Sequence, residues 1–132
     1  MARKSQRLAQ AKSFSWFTFV GAVAGVVHYS VAVGTEAGFS LAPAIANTIG
    51  FLFAFPVSYM GHRHLSFATR DTLHRQSLPR FLLVASSGFI SNQVLLAGAL
   101  KLLHLPFWLA LGLVMVIVAA LTFSSSHFWA FK

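Results

Sequence analysis

The chain has 132 residues, of which 57% are hydrophobic and only 9% carry a charge. A soluble domain has roughly 25% charged residues, so this composition excludes a water-exposed globular domain and predicts an integral membrane protein. Ten lysines and arginines against two acids give a net charge of +8, and these cations lie between apolar segments, which favours anionic lipid headgroups over nucleic acid as their partners.

Cysteine and acidic residues are too scarce for several kinds of chemistry. The chain has no cysteine, which excludes disulfides and thiolate metal sites. Its two acids, Glu36 and Asp71, are far apart in sequence, so catalysis by paired carboxylates is not expected. We therefore expect no enzymatic activity and no cofactor.

The first apolar run covers residues 14–34 and follows a basic polar segment at 1–13. As a helix it would be roughly 31 Å long, enough to cross a hydrocarbon core of about 30 Å. It is too long for the apolar core of a signal peptide, which has about 7–15 residues. We expect a retained first transmembrane helix, preceded by a cytoplasmic segment.

Three further apolar runs predict helices at about 41–60, 81–103 and 107–126. Short turns at 35–40 and 104–106 join the first two helices and the last two. The expected fold is an all-α membrane protein, in which residues 14–132 form one four-helix transmembrane domain. Pro79 suits the start of the third helix, where a missing N–H costs nothing.

The distribution of lysine and arginine predicts the orientation. Residues 1–13 hold four of these cations, the 61–80 connection holds four and the C-terminus one, whereas the two short turns share only Lys101. Cytoplasmic loops carry the excess of lysine and arginine. Both termini and the 61–80 connection are therefore expected in the cytoplasm.

Residues 58–67 and 122–131 carry the same pattern, 64 residues apart. Each has a hydroxyl residue, an aromatic ring, a short spacer, a cation or imidazole, an apolar residue, a small residue and phenylalanine. At the same offset His28 falls on Asn92. A two-helix unit returns to its starting side, so its duplication predicts a parallel 2+2 repeat about an axis along the membrane normal.

Polar residues interrupt the apolar helices at mid-membrane. His28 lies in the first helix, and Asn92 and Gln93 lie in the third. Such groups face other helices or a wet cavity, because an uncompensated polar group in hydrocarbon is costly. Two interpretations stay open: hydrogen bonds between helices, worth about 0.6 kcal/mol on average, or a hydrophilic path for a sugar.

Two further patterns each have two interpretations. Asn47, Phe51, Phe55, Tyr59 and His62 share one face of the second helix, for packing or for stacking against a glycan. Gly21 and Gly25 form a small-xxx-small motif, for packing within the bundle or for dimerisation. Because four helices enclose little space for a hydrated sugar, we expect a homodimer.

The two patterned segments, together with Phe19-Val20-Gly21 in the first helix, resemble the GtrA-like family of small four-helix membrane proteins. That family has Asn-Phe-x-x-x-Arg-x-Trp-x-Phe, or a near variant, after its second and fourth helices. The resemblance covers roughly residues 14–132. Departures from the family pattern are Ser58 and Thr122 for asparagine, Leu65 for the first tryptophan and His127 for the second arginine, whereas Arg63 and Trp129 keep it in one copy each.

The resemblance implies a flippase that moves a polyprenyl-phosphate-linked sugar across the bacterial inner membrane for modification or synthesis of a cell-surface polysaccharide. Its partners would be this glycolipid, membrane lipids and membrane glycosyltransferases. The residues expected to bind the substrate phosphate are Arg63, Arg80, His62 and His64. The residues expected along the sugar path are His28, Asn47, Tyr59, Asn92, Gln93, His127 and Trp129.

Two alternatives remain open. A small multidrug-type, ion-coupled transporter has the same size and helix count but needs a carboxylate in its first helix, where this chain has His28 and no acid. A non-transporting adaptor that recruits a glycosyltransferase to the membrane would need no substrate path at all.

Overall fold

A computed structural model describes the backbone of residues 1–66 and 74–130, and the side chains within 1–65 and 78–122. Within these ranges every long element is an α-helix: α1 (Ala2–Phe39), α2 (Pro43–Gly61), α3 (His74–Leu102) and α4 (Phe107–Ala130). A short π-helix, His62–Ser66, continues α2. The predicted all-α architecture is confirmed.

The first helix is longer than its apolar run. It begins at Ala2 and ends at Phe39, so the predicted limits at 14 and 34 are wrong. The first dozen residues are mostly alanine, arginine, lysine, glutamine and leucine, which are strong helix formers in water or at a membrane surface. The turn expected at 35–40 shrinks to 40–42, since Thr35 donates its hydroxyl back to the carbonyls of Val31 and Ala32 in its own helix.

The other helices also differ from the apolar runs. α2 begins at Pro43, at the first helical position, where the absent N–H leaves no carbonyl unpaired. α3 begins at His74, so Pro79 lies inside the helix and not at its start. α4 runs to Ala130, beyond the predicted end at 126. Polar residues extend a helix as readily as apolar ones, which is why hydropathy underestimated these lengths.

Three described segments are long and apolar enough to cross a membrane: Ala2–Phe39, Pro43–Leu65 and Leu78–Leu102. The described apolar part of α4, Phe107–Thr122, is shorter. Large hydrophobic side chains such as Phe53, Leu83 and Val116 lie exposed on the outside of the bundle. A soluble monomer rarely exposes so much apolar surface, so these faces contact lipid in a multi-pass membrane protein.

Both hairpin turns lie at the same end of the bundle, here called the turn end and defined by residues 40–42 and 103–106. Each turn segment contains one residue in the left-handed conformation, Ser40 with φ 52° and His104 with φ 50°. The opposite end, defined by His62, Arg63, His64 and Arg80, is called the basic end. The buried core cluster lies towards the turn end and consists of Ala32, Ala46, Leu96, Phe107, Ala110 and Leu111.

Two glycines bring α1 and α2 into close contact along their length. A Cβ atom at Gly50 would lie 2.5 Å from the carbonyl oxygen of His28, and one at Gly61 would lie 2.6 Å from Cγ1 of Val20. Real Cβ atoms do not approach so closely, so only glycine permits this spacing. The contact at Gly50 holds the backbone of His28 against α2, one turn from Asn47.

Candidate functional site

The amide of Asn47 joins three helices. Asn47 is 0% exposed, and its Oδ1 accepts a hydrogen bond of 2.7 Å from Nε2 of His28 on α1. Its Nδ2 donates to Oδ1 of Asn92 at 2.7 Å and to Oε1 of Gln93 at 2.9 Å, both on α3. The sequence placed these four residues in the apolar helices, and the structure brings all four together. We call them the polar cluster.

Gln93 extends the polar cluster along α2. Its Nε2 donates to the carbonyl oxygen of Ala44 at 3.0 Å and to Oγ1 of Thr48 at 3.3 Å. Hydrogen bonds between transmembrane helices average about 0.6 kcal/mol each. The cluster therefore stabilises the contact of α2 with α1 and α3, which is the packing role that the sequence left as one of two interpretations.

A cavity of about 230 Å³ begins beside the polar cluster and extends towards the basic end. Every lining residue lies on the basic side of the core cluster. Helix α1 contributes Ala24, Gly25 and His28; α2 contributes Phe51, Ala54, Phe55 and Ser58; α3 contributes Phe81, Ala85, Gly88, Phe89 and Asn92; and α4 contributes Val118. The core cluster and Asn47 lie farther towards the turn end than the lining residues.

Three residues that line the cavity, His28, Ser58 and Asn92, carry polar side-chain atoms. Among the described residues, Oγ of Ser58 and Nδ2 of Asn92 have no hydrogen bond, and Nδ1 of His28 has none to another side chain. In the described part of the chain, no fully buried side-chain nitrogen or oxygen lacks a partner. Oγ of Ser58 and Nδ2 of Asn92 are therefore not fully buried, and both belong to residues of the cavity wall. His28 and Asn92 thus serve two roles, one in packing and one on the cavity surface.

The polar and aromatic residues predicted to share one face of α2 do so. The ring of Phe51 is stacked on Phe89 of α3 with centroids 4.5 Å apart, and Phe55 lies 5.6 Å from Phe81. Tyr59 is buried between Phe55 and Phe81, at centroid distances of 6.4 Å and 5.5 Å. This face packs against α3 and also lines the cavity, so its packing role is observed.

The predicted phosphate-binding residues lie at the basic end, in different environments. His62 is buried, with its ring 4.5 Å from Phe17 of α1 and 5.8 Å from Phe81 of α3. Arg63 is half-buried, and His64 and Arg80 are exposed. The aromatic contacts of His62 place its ring between α1 and α3.

Some predicted residues are placed elsewhere or lie outside the described part. The side chains of His127 and Trp129 fall outside the described residues. Gly25 faces α4, since a Cβ there would lie 3.8 Å from Cε of Met115. Gly21 is exposed, and a Cβ there would meet no heavy atom within 4 Å. The two glycines therefore do not share one contact within the described bundle.

Sequence reasoning missed the α3 wall of the cavity. Phe81, Ala85, Gly88, Phe89 and Asn92 recur at i, i+4, i+7, i+8 and i+11, which is the spacing of one helical face. The pattern was available in the sequence, and Asn92 was already noted within it. The signal is weak because two of its members are small, and small residues on a helix face carry little hydropathy contrast.

In a comparison with known protein families, the chain matches the model described as GtrA/DPMS, transmembrane domain, over residues 16–131. The matched range takes in α1 from residue 16 onward, all of α2, α3 and α4, the polar cluster and the cavity. Searches of curated proteins and of solved structures returned no match to this chain.

Proposed function

This chain belongs to the GtrA/DPMS transmembrane-domain family, and on that premise we propose that it translocates a polyprenyl-phosphate-linked sugar across the bacterial inner membrane. The sugar would then be used on the outer side to modify or build a cell-surface polysaccharide. The observation that carries the proposal is the cavity, whose wall includes the polar residues His28, Ser58 and Asn92 within a bundle of apolar helices.

The physical difficulty of this reaction lies in the sugar. The polyprenyl tail stays in lipid at every stage, but the hydroxyl groups of the sugar must cross about 30 Å of hydrocarbon. A hydroxyl group without a partner in an apolar medium costs roughly 2–7 kcal/mol. Polar atoms such as Nδ2 of Asn92 lower that cost by replacing water, so translocation needs no covalent chemistry.

We place the substrate phosphate at the basic end, on Arg63 and Arg80 with His62 and His64 nearby. Arginine binds phosphate through two parallel charge-assisted hydrogen bonds, which lysine does not reproduce. With both termini in the cytoplasm, as the charge distribution predicts, these residues lie at the inner headgroup level. The glycolipid would then be made on that side by a membrane glycosyltransferase and used on the other side by a second one.

The duplication is part of the proposal. The turn conformations at Ser40 and His104 are 64 residues apart, as are the first residues of α2 and α4, Pro43 and Phe107. Within the core cluster, Ala32 pairs with Leu96 and Ala46 with Ala110 at the same offset. These correspondences support a parallel 2+2 repeat. A homodimer remains our expectation for the assembly, tested by the mass of the detergent-solubilised protein.

Substitution of Arg63 tests the phosphate assignment in cells. Arg63→Lys keeps the charge that sets topology but loses bidentate binding, so surface glycosylation should fall about tenfold or more at equal protein level. Arg7→Lys on α1 is the matched control, because it makes the same exchange on a helix segment outside the proposed site. Wild-type glycosylation by both Arg63→Lys and Arg63→Ala would refute the assignment.

Orientation is tested separately with cysteines at equivalent positions of the two turns. Phe39→Cys and Leu103→Cys are both exposed at the turn end and should react with an impermeant thiol reagent added outside intact cells. Ser5→Cys, on the first turns of α1, should react only after the cells are opened. The opposite pattern would reverse the proposed orientation.

A further inference from the structure

Within the described residues 14–61, 81–100 and 107–122, His28 is the one side chain that can carry a positive charge. Lysine, arginine and further histidines are absent from these ranges. An ionisable residue in the middle of a transmembrane helix is costly, and it is a candidate functional site for that reason. The packing role of the polar cluster uses Nε2 of the imidazole, so the second ring nitrogen is available for another role.

The hydrogen bonds of the polar cluster have a fixed direction. A backbone carbonyl can only accept, so the group that bonds to the carbonyl of Ala44 at 3.0 Å is the NH2 group of Gln93. The side-chain oxygen of Gln93 therefore accepts from Nδ2 of Asn47 at 2.9 Å. With Nδ2 facing Gln93, Asn47 presents Oδ1 to His28 at 2.7 Å. The chain of bonds ends on a nitrogen of His28 that must be a donor.

This direction determines which nitrogen of His28 carries the proton. Neutral imidazole has one N–H group and one lone pair, and the bond to Oδ1 of Asn47 requires the N–H at Nε2. Nδ1 is then the basic nitrogen. The ring edge formed by Cδ2 and Nε2 lies against α2, since a Cβ atom at Gly50 would lie 2.7 Å from Cδ2. Nδ1 is on the opposite edge of the ring, and His28 is one of the residues that line the cavity.

The same chain of bonds offsets part of the cost of charging His28. The amides of Asn47 and Gln93 are aligned head to tail, with the oxygen end towards His28. Hydrogen bonds in such a chain polarise one another, and a bond from a charged donor is stronger than one from a neutral donor. Protonation at Nδ1 therefore strengthens the bond from Nε2 and leaves the rest of the polar cluster in place.

No described carboxylate balances that charge. On α1, the hydroxyl of Tyr29 donates to a carbonyl of α4 at 2.9 Å, and Glu36 lies eight residues, or about 12 Å, from His28. On the α2 side, Tyr59 and His62 lie at the basic end. The residues that α3 and α4 contribute to the cavity include no titratable group. A counter-ion for protonated His28 must therefore come from another molecule.

We propose that Nδ1 of His28 is a proton-binding site within the membrane, and that one proton crosses together with the anionic lipid. The inference rests on the proposed function and adds its coupling ion. Opposite charges attract strongly in a bundle of low dielectric, so the proton and the lipid anion increase the affinity for each other to the same extent. A hydronium ion gives its proton to Nδ1 and becomes water. On the far side the new N–H bond breaks, and water takes the proton.

His28→Gln separates proton binding from the hydrogen bond. The side-chain NH2 group of glutamine replaces the Nε2–H group and keeps the bond to Asn47, but glutamine does not bind a proton. His104→Asn is the matched control, because it removes an exposed imidazole at the turn end, and asparagine tolerates the positive φ of 50° there. Both variants keep His62 and His64, so the titration of those two groups cancels in the comparison.

The first test reads the imidazole directly from nitrogen-15 resonances of the full chain, labelled at histidine, in bilayers that contain polyprenyl-phosphate-linked glucose. As the pH falls from about 8 to about 5, one imidazole should keep its proton on Nε2 while Nδ1 gains a second one, and its signals should be missing from His28→Gln. In the wild type alone, contact of ring atom Cδ2 with Gly50 assigns the same signals. A neutral His28 with its proton on Nδ1, or one that gains no proton in this range, would overturn the proposal.

The second test measures the coupling with the same lipid, whose phosphodiester keeps one negative charge over this range. Lipid binding in nanodiscs should take up about one proton more per chain for wild type and His104→Asn than for His28→Gln. In liposomes, a difference of about one pH unit should shift the lipid about tenfold towards the leaflet on the alkaline side, in the two proteins that keep His28. Equal proton uptake or an equal shift in His28→Gln would refute the coupling.

Failure of the proposed function gives a different result. If the wild type moves no glycolipid in the absence of a pH difference, translocation and its coupling are both rejected, whereas the resonances still report whether His28 binds a proton. Gly88→Leu separates the two further. Gly88 lines the cavity, and a Cβ atom there would meet no heavy atom within 4 Å, so leucine fills the cavity without a clash. This variant should stop translocation while His28 still binds its proton.

Discussion

The first hairpin, α1 and α2, and the second, α3 and α4, match at the turn end and differ towards the basic end. Val20 of α1 is 4% exposed and fits against Gly61 of α2. Val84, at the corresponding position of α3, is 69% exposed. At the turn end, by contrast, the corresponding residues Ala46 and Ala110 are both fully buried.

The difference follows from a few side chains. Gly50 of α2 corresponds to Val114 of α4, and Asn47 corresponds to Leu111. Within the described residues of the two hairpins, the close glycine contact and the polar partner are therefore found in the first one and not in the second. The amide of Asn92 bonds to α2 for that reason, although its counterpart His28 bonds within its own hairpin. A tightly packed first hairpin beside a more open second one leaves the cavity between them.

The largest effect should come from closing the space between α1 and α2. Gly50→Ala places a methyl group against the carbonyl oxygen of His28, and a backbone atom has little room to move. Overpacking of this kind costs about 3 kcal/mol at the upper end of its usual range. The free energy of unfolding, measured in mixed micelles, should fall by that amount.

Gly34→Ala is the control for this measurement. It lies on α1, where an added Cβ meets no atom within 4 Å, so it should leave stability unchanged or slightly raised through helix propensity. Equal stability of Gly50→Ala and Gly34→Ala would show that the first hairpin is not closely packed.

A smaller effect should follow when Asn47 of the first hairpin is replaced by leucine, the residue at the corresponding position of the second hairpin. Asn47→Leu copies Leu111 and removes three interhelical hydrogen bonds. At about 0.6 kcal/mol each, the expected loss is about 2 kcal/mol. Thr18→Val serves as a comparison, because the exposed hydroxyl of Thr18 bonds only to Phe14 of its own helix. A loss no greater than that of Thr18→Val would mean that the polar cluster does not hold the helices together.

The smallest effect is expected at the two corresponding valines, Val20 and Val84. Val20→Ala removes buried methyl groups from the contact with Gly61, at a cost of about 1 kcal/mol. Val84→Ala removes the same groups from an exposed position and should change the free energy of unfolding by less than about 0.5 kcal/mol. Unfolding of both variants in the same detergent gives the two free energies. Equal losses would contradict the difference in packing between the two hairpins.

The sequence predicted the features that depend on local pattern. The face of α2 that carries Phe51, Phe55 and Tyr59 follows from helical spacing, and the mid-membrane depth of His28 and Asn92 follows from their place in apolar runs. Those residues were predicted to face other helices or a wet cavity. Their hydrogen bonds cross to other helices, and both residues also line the cavity.

The sequence did not show which of several distant segments a given residue contacts. Asn92 has possible neighbours on both α2 and α4, and only the packed bundle determines that it bonds to Asn47. Gly50 and Gly61 were not distinguished from Gly34, because a glycine at a contact and a glycine facing outward look alike in one sequence. The helix ends were misplaced because hydropathy indicates which residues contact lipid and not which residues form a helix.

Translocation by the purified chain alone tests the central claim most directly. Liposomes would contain polyprenyl-phosphate-linked glucose in both leaflets, and an impermeant reagent that consumes the outer sugar would report the protected inner fraction. We predict that wild-type protein, reconstituted without a glycosyltransferase, exposes the inner fraction to the reagent, whereas protein-free liposomes and liposomes with Gly88→Leu keep it protected. A wild-type protein that is folded and inserted but leaves the inner fraction protected would contradict the account and favour a membrane adaptor.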